Sequence, residues 1–316
     1  MKRKSARQEY AAQFYRKNRF SFGIALISSV LIAALNLWVA WVLQQMIDCV
    51  SGVSGARDLK PLTWQVAAVV ASILALKAVS YASKPRFMEK AMRQYRNYAF
   101  QKLTKKSISA FCTENTANYL SAFSNDAATI ENGYLEMQFN IWANVIKLIG
   151  ALSMMIAYSP LMTIVACGFF VLPIGASYIA GNRMERAEKT VSEKNGELTA
   201  VLKDCLSGFS VIKSFKAENA IFGLFSRSNA AVERAKCDRR KLLTVISALG
   251  GVTGIAAQLG TFLAGAYLAL SGHGITPGVL MVFIDLTANV IIPIRELPEQ
   301  LASKKAAAAL MDKLAL

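Results

Sequence analysis

Six apolar runs alternate along the chain with polar segments of two very different lengths. The first runs from Phe20 to about Ile47 and ends near Asp48. It is far longer than the roughly 7–15 apolar residues of a signal peptide and contains Trp38 and Trp41, so it reads as a spanning helix. The second begins near Leu62 and leaves the membrane around Ser83, yet its helical character continues. Apart from Pro85, Lys84 to Ser109 is rich in helix formers, with Phe87, Met88, Ala91, Tyr95, Tyr98 and Leu103 spaced along one face. A helix from Trp64 to Ser109 would be roughly 70 Å long at about 1.5 Å per residue, against a hydrocarbon core about 30 Å thick. It is therefore expected to protrude well into water.

The segment Asn115–Asp126 reads as short, polar and turn-like. A helix resumes at Ala127, enters the membrane near Gln138 and ends at Tyr158. After a tight turn at Ser159-Pro160, the fourth span runs from Leu161 to about Ile179 and continues outward as Asn182–Leu202. A tip at Asp204–Phe215 follows, then a returning helix, Ala217–Lys241, and the fifth span, Leu242 to about Leu270. The turn 271–277 leads into the sixth, Gly278 to about Ile294, and Leu297–Leu316 is a final amphipathic helix. The pattern predicts an all-α membrane protein with six transmembrane helices and two long helical extensions.

Composition agrees with this reading. Apolar residues make up 54% of the chain, where a soluble domain has about 45–50%. The net charge of +16 could suggest nucleic acid, but the basic residues flank apolar runs, so no nucleic-acid partner is expected. Residues 1–19 carry seven Lys or Arg against Glu9 alone, whereas the short loops 51–61, 159–160 and 271–277 carry only Arg57 and Lys60. By the positive-inside rule, the long loops and both termini lie in the cytoplasm and the short loops on the far side of the inner (plasma) membrane. Five cysteines without a CxxC pair and a lone His273 in a Gly-flanked turn argue against zinc, and with only Cys49 near the outer face no intrachain disulfide is expected.

The second polar arm holds an anomaly. At its tip Gly208 breaks the helical periodicity, and Phe209, Val211, Ile212 and Phe215 have no evident core to enter. An apolar turn at the end of a hydrophilic arm is suited to docking on another protein.

The motifs at both tips carry a resemblance. Phe111-Cys-Thr-Glu-Asn-Thr-Ala117-Asn-Tyr119-Leu120-Ser-Ala122-Phe-Ser-Asn-Asp126 resembles the first intracellular loop of ABC exporters, where a phenylalanine precedes G-E-L-x-S-R-L-x-x-D. Asp204-x3-Gly208-x2-Val211-Ile-Lys213-x-Phe215-x2-Glu218 is similar to the E-x3-G-I-x-x-V-K-x-F-x-x-E run of the second loop. Gln45-Met-Ile-Asp48 looks like the end of that family's first span, Thr276-Pro-Gly278-Val-Leu-Met-Val-Phe283 and Pro293-Ile like its sixth, and Leu301 to Lys313 like the exit beyond it. Ala117 stands where the family usually has Gly, Ala122 where it often has Arg, and Asp204 where it has Glu.

The resemblance implies an ABC exporter transmembrane fold: a basic N-terminal segment (1–19), a six-helix domain (20–300) and a helix leading toward a nucleotide-binding domain (301–316). It implies a second transmembrane domain, in a homo- or heterodimer with twelve spans, and a lipid environment. The implied coupling residues are Asn115, Tyr119, Leu120 and Asp126 at the first tip. At the second they are Asp204, Gly208, Phe209, Val211, Lys213, Phe215 and Glu218. ATP and Mg are expected on the partner nucleotide-binding domain. The chain contains no G-x4-G-K-[ST] loop to cradle phosphates; Lys213-Ser214 follows Ile212, and Leu206-Ser-Gly208 continues as Phe-Ser rather than as a signature sequence. No cofactor is expected on this chain.

Asp285 lies about mid-membrane in the sixth span, where a carboxylate costs about 2.5–3.5 kcal/mol on insertion scales. It is a candidate for the translocation path, or for an ion pair with Lys147 or Lys77; Lys77 could instead snorkel to the interface. Asn36 and Asn289 are mid-span polar groups that either bond between helices or, with Lys147, line the path. Pro173 and Pro293 mark candidate bends. Two rival readings remain: an ATP-independent carrier or channel using these intramembrane charges, and a non-transporting membrane scaffold.

Overall fold

Backbone N–H and C=O groups carried into hydrocarbon find no water and must bond within their own segment, which leaves the apolar runs helix as their state. The computed structural model describes residues 2–53, 58–112, 116–272 and 274–314, and among these no residue is in a β-strand. In chain order the elements are α1 (Lys2–Tyr15), α2 (Arg19–Val50), α3 (Leu59–Thr104), α4 (Ile108–Cys112) and α5 (Thr116–Ser121). Two π-helical turns, Ala122–Asp126 and Glu131–Glu136, flank α6 (Ala127–Ile130). Then come α7 (Met137–Tyr158), α8 (Pro160–Ser207), α9 (Phe209–Ser214), α10 (Glu218–Leu270) and α11 (Pro277–Leu314).

Five helical stretches are long and apolar enough to cross a membrane: α2, α3, Tyr119–Tyr158, α10 and the α11 stretch Pro277–Met311. The fourth expected span is the beginning of α8, where Pro160–Val171 forms a shorter apolar stretch. Pro173 and His273 lie outside the described side chains.

Three boundaries differ from the sequence reading. The second helix stops at Thr104 rather than Ser109, because Lys105 and Lys106 close a turn on Lys102 and Leu103 (Lys106 N–H to Leu103 C=O, 3.1 Å). Basic side chains suit a helix C-terminus, where the peptide dipoles point their negative end. The stretch expected to be turn-like is helical from Thr116 onward and reaches Tyr158 through the two π-helical turns. Its polar composition concealed a packed face: Ala122, Ala127, Ile130 and Leu135 are buried. Finally, the amphipathic helix expected from Leu297 onward is, as far as Leu314, the uninterrupted continuation of the sixth span. Pro293 and Pro298 sit inside α11 and leave only the carbonyls of Asn289 and Ile294 without a helical donor.

The chain forms two compact units, 1–166 with 261–316, and 167–260. The core of the first is aromatic and lies largely outside the apolar spans. Phe14 of α1 stacks on Tyr95 of α3 with ring centroids 5.1 Å apart, and Tyr10 meets Tyr98 edge-on at 5.2 Å. Phe22, Phe87 and Phe139 bring α2, α3 and α7 together. Burial pushes the Tyr10 phenol up to about 12, so the ring packs as a neutral group. Asn18 is buried beside these rings and donates to the Phe87 carbonyl at 3.0 Å, while Lys17 before it takes a left-handed turn (φ 58°) that redirects α1 into α2. At the other end of the sequence Met311 enters the same core. Ala307 and Ala308 are buried, and a Cβ on Gly133 would lie 3.0 Å from Ala307 Cβ, so α11 seats closely on the second π-helical turn.

A second junction fastens the start of α11. Asp48, 5% exposed at the end of α2, accepts hydrogen bonds from the Gly278 N–H (2.8 Å), Thr276 Oγ1 (3.0 Å) and Gln44 Nε2 (2.7 Å). Thr276 caps α11 itself by accepting the Val279 N–H at 3.2 Å, and Pro277 occupies the first helical position, where no donor is needed. A carboxylate thus neutralises the positive end of a helix dipole from a neighbouring helix. Tyr158 at the end of α7 donates to Gln44 Oε1 at 3.2 Å and joins the cluster. A third junction joins α7 to α11, where buried Asn144 donates to Glu296 (3.1 Å) and Gln300 (3.3 Å).

In the second unit, Arg239 on α10 makes two hydrogen bonds to the Glu188 carboxylate on α8, at 2.8 and 3.1 Å. The Phe169 ring sits where a side chain on Gly260 would go, 2.5 Å from its Cβ position, so the two helices pack closely there.

Two outcomes follow. Phe14→Ala is expected to cost about 3–5 kcal/mol by removing a fully buried ring. It should lower the thermal unfolding temperature and speed tryptic cleavage at the exposed Arg16 and Lys17. A Cβ at position 278 would fall 2.6 Å from Asp48 Oδ1 and nearer still to the Gln44 carbonyl. Gly278→Ala should therefore lower stability by about 1–3 kcal/mol, read as the unfolding midpoint in lipid nanodiscs.

Candidate coupling tips and translocation path

The second tip is a separate one-and-a-half-turn helix. α8 ends at Ser207, and Gly208 opens α9; the Asp204 carbonyl accepts the Gly208 N–H at 2.9 Å. Among α9 residues none is buried. Phe209 is 58% and Phe215 80% exposed, and Leu206 and Val211 face outward with them. Ile212, grouped with these in the sequence, is only half-exposed. The end of α9 is held by a bond from the Ala217 N–H to the Ile212 carbonyl (3.0 Å), with Lys216 left-handed at φ 50°. This is a helix-ending motif that usually takes glycine. Lys213 and Glu218 pair across it at 2.9 Å. That hydrogen bond and the lysine charge hold the Glu218 carboxyl below its ordinary value. The pair is present at neutral pH and dissolves only as pH falls through that lowered value. Asp204 is exposed, and its carbonyl has the structural part.

The first tip is better buried. Asn115 lies outside the described residues. Tyr119 is 7% exposed and stacks on Phe111 at 5.1 Å with the rings parallel within 3°, while Lys106 Nζ sits 5.3 Å above its ring. Its neighbour Leu120 is 70% exposed. Asp126 closes the first π-helical turn and is half-buried. Among the described residues of this tip Leu120 is the most exposed apolar side chain, with Phe111 partly exposed beside it and Tyr119 fixing the turn beneath.

Of the candidate path residues, the structure joins two. Asn289 Nδ2 donates to Asp285 Oδ2 at 3.1 Å and to its carbonyl at 3.0 Å, one turn apart on α11. Asn36 is exposed on α2 and Lys147 half-buried on α7; neither bonds to this pair, and the ion pair with Lys147 or Lys77, the alternative reading of Asp285, does not form. The Asp48 cluster was not foreseen as a junction. A carboxylate closing an apolar run and a Thr-Pro-Gly helix start 230 residues later were visible separately, but nothing local links them.

The family model described as ABC transporter transmembrane region matches residues 22–293. An uncharacterised ABC transporter ATP-binding protein of Sinorhizobium fredii is 23% identical over 300 residues, covering 90% of this chain and 49% of its own length. A Staphylococcus aureus protein provisionally named as a multidrug export ATP-binding/permease protein is 28% identical over 196 residues, covering 62% of this chain and 34% of its own length. The chain thus spans about half or less of these curated relatives. With long apolar helices, two polar arms and a match over most of its length, this multi-pass integral membrane protein belongs to the ABC transporter transmembrane region family.

Proposed function

We propose that this chain is the transmembrane part of an ATP-driven ABC exporter, forming half of a translocation path and working with a second transmembrane domain by alternating access. The observation that carries the reading is the α9 tip, a short helix with no buried residue and four outward apolar side chains, Leu206, Phe209, Val211 and Phe215. It stands between a 48-residue and a 53-residue helix. Such helices are about 70–80 Å long, more than twice the hydrocarbon thickness, so force applied at the tip acts on the spans as on rigid levers.

A nucleotide-binding domain is the proposed occupant of that tip, on a separate chain or in a longer polypeptide. Both relatives are named as ATP-binding proteins, and the name of the Staphylococcus aureus one joins ATP-binding with permease, which supports this partner. ATP and Mg belong on that domain. Lys213-Ser214 lies inside α9 and Gly208 opens a helix, so neither supplies the loop of free backbone amides that a triphosphate needs. In this reading Phe209, Val211 and Phe215 insert into the partner, with Lys213 and Glu218 fixing the angle of the tip and Leu120 adding a second contact. Tighter contact in one nucleotide state than in the other biases the helices between inward- and outward-open arrangements. The basic N-terminal segment and the tips face the cytoplasm, and the Asp48 junction lies at the outer side of the inner membrane.

The test is a Ser210→Cys variant in a Cys205→Ser background, isolated with its ATPase partner and treated with a short bifunctional crosslinker. A crosslinked product between the two polypeptides, or between the two domains of one, is expected. No product from cysteines at 209, 210, 211 and 213 in turn, or no ATPase copurifying, would overturn the reading.

A further inference from the structure

We propose that the mid-membrane stripe Met281–Asp285–Asn289–Ile292 on α11 is a subsite for amphiphilic organic cations; this rests on the reading that α11 lines the translocation path. At about 100° per residue these four positions fall on one side of the helix. Val282, Phe283, Leu286, Thr287 and Val290 cover the opposite side and are buried against the rest of the first unit. Met281 and Ile292 are 46% and 41% exposed, and Asp285 is exposed between them. The stripe therefore presents one carboxylate flanked by apolar surface one turn above and two turns below.

The six apolar runs contain no other acidic residue between their ends. Asp285 forms no ion pair with a described lysine or arginine, and its side-chain hydrogen bond comes from Asn289 on its own helix. That bond fixes the carboxylate's rotamer without neutralising its charge. A carboxylate at this depth is tolerated where it faces water or a cation, and the apolar residues on either side favour a cation that carries hydrophobic bulk. Anions are repelled by the same group, so the subsite discriminates by charge at equal shape. This discrimination rests on the charge and apolar surface of the stripe and requires no nucleotide.

Tetraphenylphosphonium and tetraphenylborate have nearly the same size and shape and opposite charge, which makes them suitable probes. The full chain with its nucleotide-binding partner is placed in lipid nanodiscs without nucleotide, and saturable binding of each ion is measured by equilibrium dialysis against empty discs. Saturable binding is expected for the cation and not for the anion. Asp285→Asn should weaken cation binding at least tenfold, and Asp285→Glu should retain most of it. The unfolding temperature of Asp285→Asn should match the parent, because the exposed side chain bonds only to its own helix. Equal binding by parent and Asp285→Asn, equally tight saturable binding of both ions, or no saturable cation binding would overturn the proposal. The last result would arise if a second copy of the chain seats a lysine on the stripe. Because this measurement uses no ATP and no tip contact, a failed Ser210 crosslink with intact charge-selective binding would sink the exporter reading and leave the subsite standing.

Discussion

The impossibility of leaving backbone polar groups unpaired in hydrocarbon governs this chain. It makes every apolar run a helix, and because helices propagate cheaply once formed, several do not stop at the membrane surface. α8 and α10 run for 48 and 53 residues, and only part of each is apolar. Excess length is what creates the arms, and the arms create a tip that has nothing of its own to pack against.

Stability and function are separated along the same helices. In the first unit α11 is fastened at its start by the Asp48 carboxylate, just past its middle by Asn144 with Glu296 and Gln300, and near its end by Met311 in the aromatic core. Between the first two anchors one face carries Met281, Asp285, Asn289 and Ile292 outward. An element held at three points can present a charged group mid-membrane without its helix being free to rotate the charge away. The large aromatic cluster lies where α1, α3 and α7 meet, beyond the apolar part of α3, which fits the weak hydrophobic drive for helix association inside lipid.

Much of the candidate site was legible in the residues. Gly208 ended a helix where its missing side chain weakens helical propensity, and Phe209, Val211 and Phe215 after it proved exposed, as a surplus of Phe and Val in a polar arm suggested, while Ile212 is partly covered. Less was legible at the first tip, where Tyr119 looks like a docking residue and is in fact stacked on Phe111. The helical state of Thr116–Asp126 was hidden because short polar stretches are assigned by composition, whereas here Ala122 and Ala127 are buried by contacts that local sequence does not encode.

The order of apolar and polar runs, read alone, determined the all-helical state, the five stretches long and apolar enough to cross a membrane, the long helical extensions and the helix break at Gly208. These depend on properties that act within a few residues: hydropathy, helical period and the breaks at Gly208 and Ser159-Pro160. Tertiary structure decided what joins what. It placed Asp48 on the amide of Gly278, turned Asp285 toward Asn289 rather than toward a lysine, and carried α11 through two prolines into the core that α1 begins. Those outcomes depend on groups up to 300 residues apart meeting within a few ångströms, and a one-dimensional pattern carries no record of that distance.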